Sequence, residues 1–369
     1  MYTDRIHHLT TQLKTRGLDA IALNPGPTMT YLTGMHFHLM ERPTVLLLAP
    51  DQTPVLILPE LEMRKAEAAE MKLSCFAFGD TPTTWGSIFQ RACQSLQLSG
   101  RKIGVEPNRL RFLELRLLEA AAPGAQFSSA EEILNRLRMR KDAEEIAAMR
   151  RAVQIAQDGL EAALQNFQVG MTERQFAAEL CIQLLRAGSD SELPFAPIIA
   201  GGPNSANPHA VPTERPIQSG DLLVVDWGAA YNGYYSDLTR TFAIGKVDPE
   251  FEHIAQIVLQ ANTAGRAAGR PGVSAGSVDQ VTRAVIQRAD YGPFFTHRTG
   301  HGLGMEGHEP PYMFGENQLV LEPGMTYTIE PGIYLTGRGG VRIEDDMVVT
   351  AEGSESLSDM PRQLRVIGI

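Results

Sequence analysis

Apolar positions at Ile6, Leu9 and Leu13 recur at helical spacing across residues 3–16, and Gly17 follows as a C-cap, so the chain is expected to open on an amphipathic helix. Residues 19–23 then read as a buried strand and residues 25–34 as a turn with a short helix. Apolar runs at 44–48 and 55–58 predict two more strands. A helical pattern over 59–71, a strand over 73–78, a helix over 84–96, a strand over 102–106 and a helix over 111–121 continue the alternation. Strand and helix in alternation predict an α/β domain with a mostly parallel sheet. No strand in it runs into GxGxxG or GxxxxGK[ST], so no phosphate-cradling loop is expected.

Ser129-Ala130-Glu131-Glu132 has capping-box spacing and starts a helix that runs through Lys141 to Phe167, with room for a break. Its charged stretch, RLRMRKDAEE, reads as a solvated connector. A boundary near residue 135 divides the chain into an N-terminal α/β domain, 1–134, and a second domain, 135–369. Thr172 with Gln175 caps the next helix, whose core face is expected to carry Phe176, Leu180, Ile182 and Leu185. A strand over 194–200 and a buried strand over 222–226 precede a hairpin. Helices over 249–268 and 277–289 lead to a second hairpin, 326–333 with 340–349. Helices followed by a hairpin thus occur twice, an approximate internal duplication of architecture.

Each hairpin carries two acids. Asp226 and Asp237 are centred between Tyr231 and Asn232, and Glu330 and Glu344 are centred on Gly337. In antiparallel hairpins the members of each pair would face one another near one level of the ladder. Like charges so placed repel. Asp226 and Glu330 also terminate apolar runs expected to be buried, and unpaired buried charge costs several kcal/mol per ion. One or two divalent cations between the pairs resolve the conflict. Four carboxylates with the glycine-flanked His301 can hold two ions, and oxygen-rich ligands favour manganese, with cobalt, iron or zinc as alternatives. Paired ions activate water for attack on a carbonyl, so hydrolysis is the natural reaction.

Composition narrows the partners. The formal net charge of -10 offers no general attraction to nucleic acid or an anionic membrane. No stretch reaches the roughly 18 consecutive apolar residues of a membrane span, and the polar N-terminus does not read as a signal peptide. Cys75, Cys93 and Cys181 are scattered and read as buried thiols in a reducing compartment, so a cytoplasmic protein is expected. His7 with His8, and His36 with His38, lack the i, i+4 spacing of helical metal motifs and read as surface or core residues. The alternative is that the loop over residues 31–38 serves a neighbouring subunit's site.

Val224-Val225-Asp226-Trp227-Gly228, Ser236-Asp237-Leu238-Thr239-Arg240-Thr241, Gly300-His301-Gly302-Leu303-Gly304, Ile329-Glu330-Pro331-Gly332 and Val341-Arg342-Ile343-Glu344-Asp345 resemble the five ligand segments of the pita-bread metallopeptidases. The N-terminal α/β domain, Lys141-Asp142-Ala143-Glu144-Glu145-Ile146 and Pro361-Arg362 resemble the prolidase and aminopeptidase P branch. The resemblance implies a creatinase/prolidase-like N-terminal domain followed by an α+β pita-bread catalytic domain with pseudo-twofold symmetry. It implies a dinuclear-metal exopeptidase, a peptide substrate with proline at the second position, and a homodimer. By the same resemblance Asp226 binds one metal, His301 and Glu330 the other, and Asp237 and Glu344 bridge them. Glu330 would also shuttle the proton. His209, His297 and His308 would hydrogen-bond the substrate and the tetrahedral intermediate, and Arg342 would stand behind the ligands.

A strict dipeptidase must clamp the proline carboxylate, for which arginine is the usual tool. In prolidases that arginine lies between the segments matching His308 and Glu330, where this chain has none, although Arg338 or Arg342 could substitute. The sequence therefore favours aminopeptidase P-like cleavage of longer peptides, with Xaa-Pro dipeptidase activity as the alternative. A non-catalytic peptide-binding module and an amidohydrolase acting on a non-peptide amide are the remaining readings.

Overall fold

The computed structural model describes residues 2–368, and the chain divides into two compact units, Met1–Arg138 and Met139–Ile369. The first unit opens on α1 (Tyr2–Thr15), which buries Leu9 and Leu13 as their spacing requires. Strand β1 (Ala20–Leu23), α2 (Pro27–Thr33), β2 (Val45–Leu48), β3 (Val55–Pro59), α3 (Met63–Glu67), β4 (Ser74–Phe78), α4 (Trp85–Ser95), β5 (Lys102–Val105), α5 (Phe112–Ala121), β6 (Gln126–Ser129) and α6 (Glu131–Met139) follow.

The six strands form one sheet in the order β4-β3-β2-β1-β5-β6. The sheet is mostly parallel, as expected, but mixed: β1–β5, β5–β6 and β3–β4 are parallel, whereas β1–β2 and β2–β3 are antiparallel. The loop between Leu48 and Val55 is too short for a crossover, so β2 and β3 can only run antiparallel. The capping box expected from Ser129 does not form. Ser129 ends β6, and its hydroxyl accepts from the Glu131 N–H instead.

In the second unit, α7 (Ala143–Gln165) begins at a capping box formed by Asp142 and Glu145, which supplies the break in the long helical pattern. It packs on α8 (Glu173–Ala187). The α8 core face is also corrected: Glu173, Phe176, Leu180, Gln183 and Leu184 are buried, while Ile182 and Leu185 are exposed. The inward stripe follows the 3.6-residue period through 176, 180 and 184, and the two predicted apolar positions lie off it.

Strands β7 (Ile198–Gly201), β8 (Leu222–Trp227), β9 (Ala230–Tyr231), β10 (Tyr234–Tyr235) and β11 (Leu238–Ile244) come next. The helices α9 (Pro249–Ala268) and α10 (Ala275–Arg288) pack together before β12 (Gly300–Gly302), β13 (Glu309–Met313), β14 (Thr326–Ile329), β15 (Gly332–Leu335), β16 (Gly339–Arg342), β17 (Asp345–Val349), β18 (Ser354–Ser356) and β19 (Arg365–Ile367). Two larger sheets result, β19-β11-β8-β7 and β13-β12-β14-β17-β18, beside the two-stranded ladders β9–β10 and β15–β16. Trp227, Leu223, Val225 and Leu238 join the first sheet to α7 and α8 in one core, and Tyr327, Ile329 and Met347 join the second to α10 in another. A helix pair with a sheet therefore occurs twice, the duplication expected from the sequence.

Each hairpin sets the register of its acids. In the second, Gly332 pairs with Arg342 and Ile329 with Asp345, so both ladders centre on Gly337 and leave Glu330 and Glu344 opposed between them. The first is displaced from expectation. Tyr231 pairs with Tyr234 and Asp226 with Thr239, which centres the hairpin between Asn232 and Gly233. Asn232 and Gly233 both have positive φ, 51° and 75°, the type I′ requirement that Asn-Gly satisfies. Asp226 thus faces Thr239, and Asp237 stands two residues along on the same side.

Candidate metal centre

The five predicted ligands converge. Ligand atoms of Asp226, Asp237 and Glu344 lie within 4.8 Å of one another, as do those of His301, Glu330 and Glu344, and those of Asp237, His301 and His308. Asp237, His301 and Glu344 each belong to two of these groups, so the groups merge into one continuous cluster. Together with His209, His297, Arg298 and Arg342 they line a cleft of about 630 Å³.

Local structure explains the placement. Gly300 and Gly302 flank His301 because a Cβ on either would collide with the backbone of Thr328 or of Pro310. Only glycine lets β13 and β14 close on both sides of the histidine. The Thr239 hydroxyl donates to Glu344 Oε2 at 2.7 Å, and the Glu344 N–H donates to the Thr239 carbonyl at 3.1 Å, tying the two hairpins together. Three successive acids then take separate tasks. Glu344 enters the cluster, Asp345 is ion-paired with Arg240 and Arg266, and Asp346 accepts the Asp237 N–H at 3.0 Å.

Electrostatics show what the cluster needs. Burial pushes Glu330 up to about 7, although Arg342 opposes the shift. Burial also holds Asp237 and Glu344 well above the carboxylate range, and the neighbouring acids add to it. The same burial, with His308 nearby, keeps His301 well below the usual imidazole range and therefore neutral. Its Nδ1 lies 3.0 Å from the Gly302 carbonyl, which can only accept, so Nδ1 carries the proton and Nε2 presents a lone pair. That lone pair faces Glu330 Oε1 at 3.4 Å and Asp237 Oδ2 at 3.7 Å. Once these carboxyls ionise, acceptor faces acceptor in a buried site, a conflict that a divalent cation between them relieves, and Asp226 Oδ1, buried and without a hydrogen-bond partner, is a further acceptor of the same kind. The donor set fits divalent metal.

Beyond the cluster, Arg342 donates to Asp226 Oδ2 at 2.6 Å, to the Tyr334 hydroxyl at 3.0 Å and to the Pro208 carbonyl at 3.2 Å. Burial alone would lower the guanidinium, but Tyr334, Asp226 and Glu344 outweigh it and hold it charged. Tyr334 in turn lies 2.8 Å from His297 Nε2, and His297 Nδ1 lies 2.7 Å from the Arg298 carbonyl. The predicted histidines therefore differ. Both His297 nitrogens are engaged by protein, and burial lowers its imidazole to about 4, whereas His209 and His308 are exposed at the cleft. Sequence reasoning missed Tyr334, Thr239 and Asp346, and also Asp279, which anchors Thr299 through its N–H and hydroxyl. Only Asp279 and Arg283 gave a signal, as an i, i+4 ion pair on α10.

Residues 147–351 match metallopeptidase family M24, and residues 5–140 match the creatinase/prolidase N-terminal domain. The chain belongs to family M24. Its fold is the pita-bread catalytic domain behind a creatinase/prolidase-like domain, and it is a metal-dependent hydrolase of the Xaa-Pro peptidase branch. Among solved structures it is similar to the dipeptidase from Pyrococcus horikoshii OT3, with 35% identity, a TM-score of 0.92 and coverage of 100% of both chains. It is also similar to the prolidase from Thermococcus sibiricus, with 32% identity, a TM-score of 0.93 and coverage of 100% of this chain and 99% of that one. The Xaa-Pro dipeptidase of Lactobacillus helveticus is 33% identical over 343 residues, 93% of each chain.

Further expectations are corrected here. Of the three free cysteines only Cys93 is buried, with its thiol pushed up to about 12, while Cys75 and Cys181 are half-buried. Neither substitute arginine is available as a carboxylate clamp. Arg338 is ion-paired with Glu250 and Asp248 at the surface, and Arg342 is spent on Asp226, Tyr334 and Pro208. Among the described residues no helix is long and apolar enough to cross a membrane.

Proposed function

We propose that this M24 enzyme is an Xaa-Pro dipeptidase that holds two divalent ions, manganese being the best match to its oxygen-rich donors. The observation that carries the metal reading is the His301 Nε2 lone pair aimed at two carboxylates. The choice of dipeptides over longer peptides reverses the aminopeptidase P-like preference stated above and follows the relatives, which are a dipeptidase, a prolidase and an Xaa-Pro dipeptidase. The enzyme would act as a homodimer in the cytoplasm.

Asp226 would hold one ion, His301 and Glu330 the other, and Asp237 and Glu344 both. Bound there, the ions would polarise the scissile carbonyl and lower the pKa of the attacking water. Glu330 would take the proton released by that water and deliver it to the proline nitrogen as the amide bond breaks. His308 and His209 would hydrogen-bond the substrate at the cleft wall. His297, held by Tyr334 and the Arg298 carbonyl, would position the segment leading to His301 and not bond substrate directly.

Manganese-loaded protein should release free proline from an Xaa-Pro dipeptide, and metal-depleted protein should not. Equal release by the depleted protein would overturn the reading.

A further inference from the structure

The cleft contains one guanidinium that its neighbours leave free. Arg342 and Arg338 are committed, and Arg283 is held by Asp279 and by the Phe295 and His297 carbonyls. Arg298 is different. It lines the cleft, is half-buried, and among the described residues no carboxylate lies within ion-pairing distance of its guanidinium. Its one side-chain hydrogen-bond contact is a long one, 3.5 Å to His308 Nδ1.

Its position is nonetheless fixed at both ends. At the base, the His297 carbonyl accepts from Arg283 at 2.7 Å, the Arg298 carbonyl accepts from His297 Nδ1 at 2.7 Å, and Thr299 is tied twice to Asp279. At the head, the guanidinium carbon stands 4.6 Å from the centroid of the Tyr312 ring. An arginine stacked on an aromatic face keeps the edge of its fork open for a planar, bidentate acceptor. Tyr312 belongs to the segment between His308 and Glu330, where the arginine expected of a dipeptidase is missing. That segment supplies the platform, and β12's approach supplies the charge.

Resting on the Xaa-Pro dipeptidase reading, we infer that Arg298, stacked on Tyr312, receives the C-terminal carboxylate of the substrate and is the residue that selects dipeptides. Arg298 also borders an adjoining groove lined by Gln280, Gln287, Thr296 and Phe314. A dipeptide ends where it meets the guanidinium. A longer chain must carry an uncharged amide past it, losing the charge-assisted bond.

The experiment compares an Xaa-Pro dipeptide with its C-terminal amide and with an Xaa-Pro-Yaa tripeptide, using manganese-loaded wild type and the variants Arg298→Ala and Arg298→Gln. Wild type should favour the dipeptide over its amide by about 100-fold in kcat/KM, the order expected for loss of a charge-assisted bidentate contact. Either variant should bring that ratio near 1, with the change residing in KM. Arg298→Gln keeps the stem over Tyr312 and serves if the alanine variant folds poorly. A ratio retained in the folded variant, or absent in wild type that still cleaves dipeptides, overturns the assignment of Arg298. Wild type that cleaves tripeptides and spares dipeptides overturns the dipeptidase reading itself, a separate outcome.

Discussion

At the residue scale the site is a set of buried acids whose ionisation the fold opposes until a cation arrives. Glu330 shows the consequence. Its carboxyl rises from an ordinary 4.5 to about 7 on burial, so the metal-free fold binds its proton more tightly than the unfolded chain does. The stability this contributes is present below about 4.5 and is lost as pH rises through about 7, by at most about 3 kcal/mol for this group. Chemical denaturation at pH 5 and pH 8 should show that fall as the difference between metal-depleted wild type and metal-depleted Glu330→Gln, since the buried His297 and His301, lowered by burial, have the opposite slope in both. Glu330→Gln should also lower kcat of the loaded enzyme by about 10³-fold or more. Arg342 acts in the other direction, neutralising Asp226. Arg342→Ala leaves that carboxylate unpaired and should cost about 3–5 kcal/mol in the metal-depleted protein, measured by urea unfolding. An unchanged midpoint would mean that the ion pair is not worth its burial. The clustered acids were legible in the sequence because acids closing apolar runs beside turns are chemically conspicuous. Arg298 was not, because its meaning comes from a ring fourteen positions away that no local pattern connects to it.

At the element scale, hairpin register does most of the positioning, and it was readable only where the turn chemistry was read with it. Gly337 alone centred the second hairpin correctly. In the first, placing the acids symmetrically put the centre one residue too early, and so the partner of Asp226 two residues too early, whereas Asn232-Gly233, as a type I′ turn, determines it. Strand closeness around His301 is the other element-scale device. A methyl at Gly302 would meet the Pro310 and Glu309 backbone, but one at Gly307 has nothing within 4 Å. Gly302→Ala should therefore lose about 3 kcal/mol or fail to fold, and Gly307→Ala should unfold within about 0.5 kcal/mol of wild type. Thermal melts of both variants check this, and equal losses would show that the strand packing is not the constraint.

At the scale of the whole molecule, the alternation of elements foretold two domains and their classes but not the strand order. The β2–β3 pairing runs antiparallel because its short connection dictates it, but β1 and β2 are joined through α2, and their antiparallel pairing, like the other sheet neighbours, comes from distant contacts that periodicity does not encode. The repeated helix pair and sheet of the second unit brings one acid-bearing hairpin from each half to a common centre, where Asp226 and Asp237 of one lie beside Glu344 of the other. On the dipeptidase reading proposed above, what that centre cleaves would be decided by how the peptide ends. The most direct measurement is a competition: manganese-loaded enzyme given equal concentrations of an Xaa-Pro dipeptide and the matching Xaa-Pro-Yaa tripeptide, with products followed over time. Consumption of the dipeptide with the tripeptide left intact is the expected result. Removal of the first residue from the tripeptide while the dipeptide persists would contradict it.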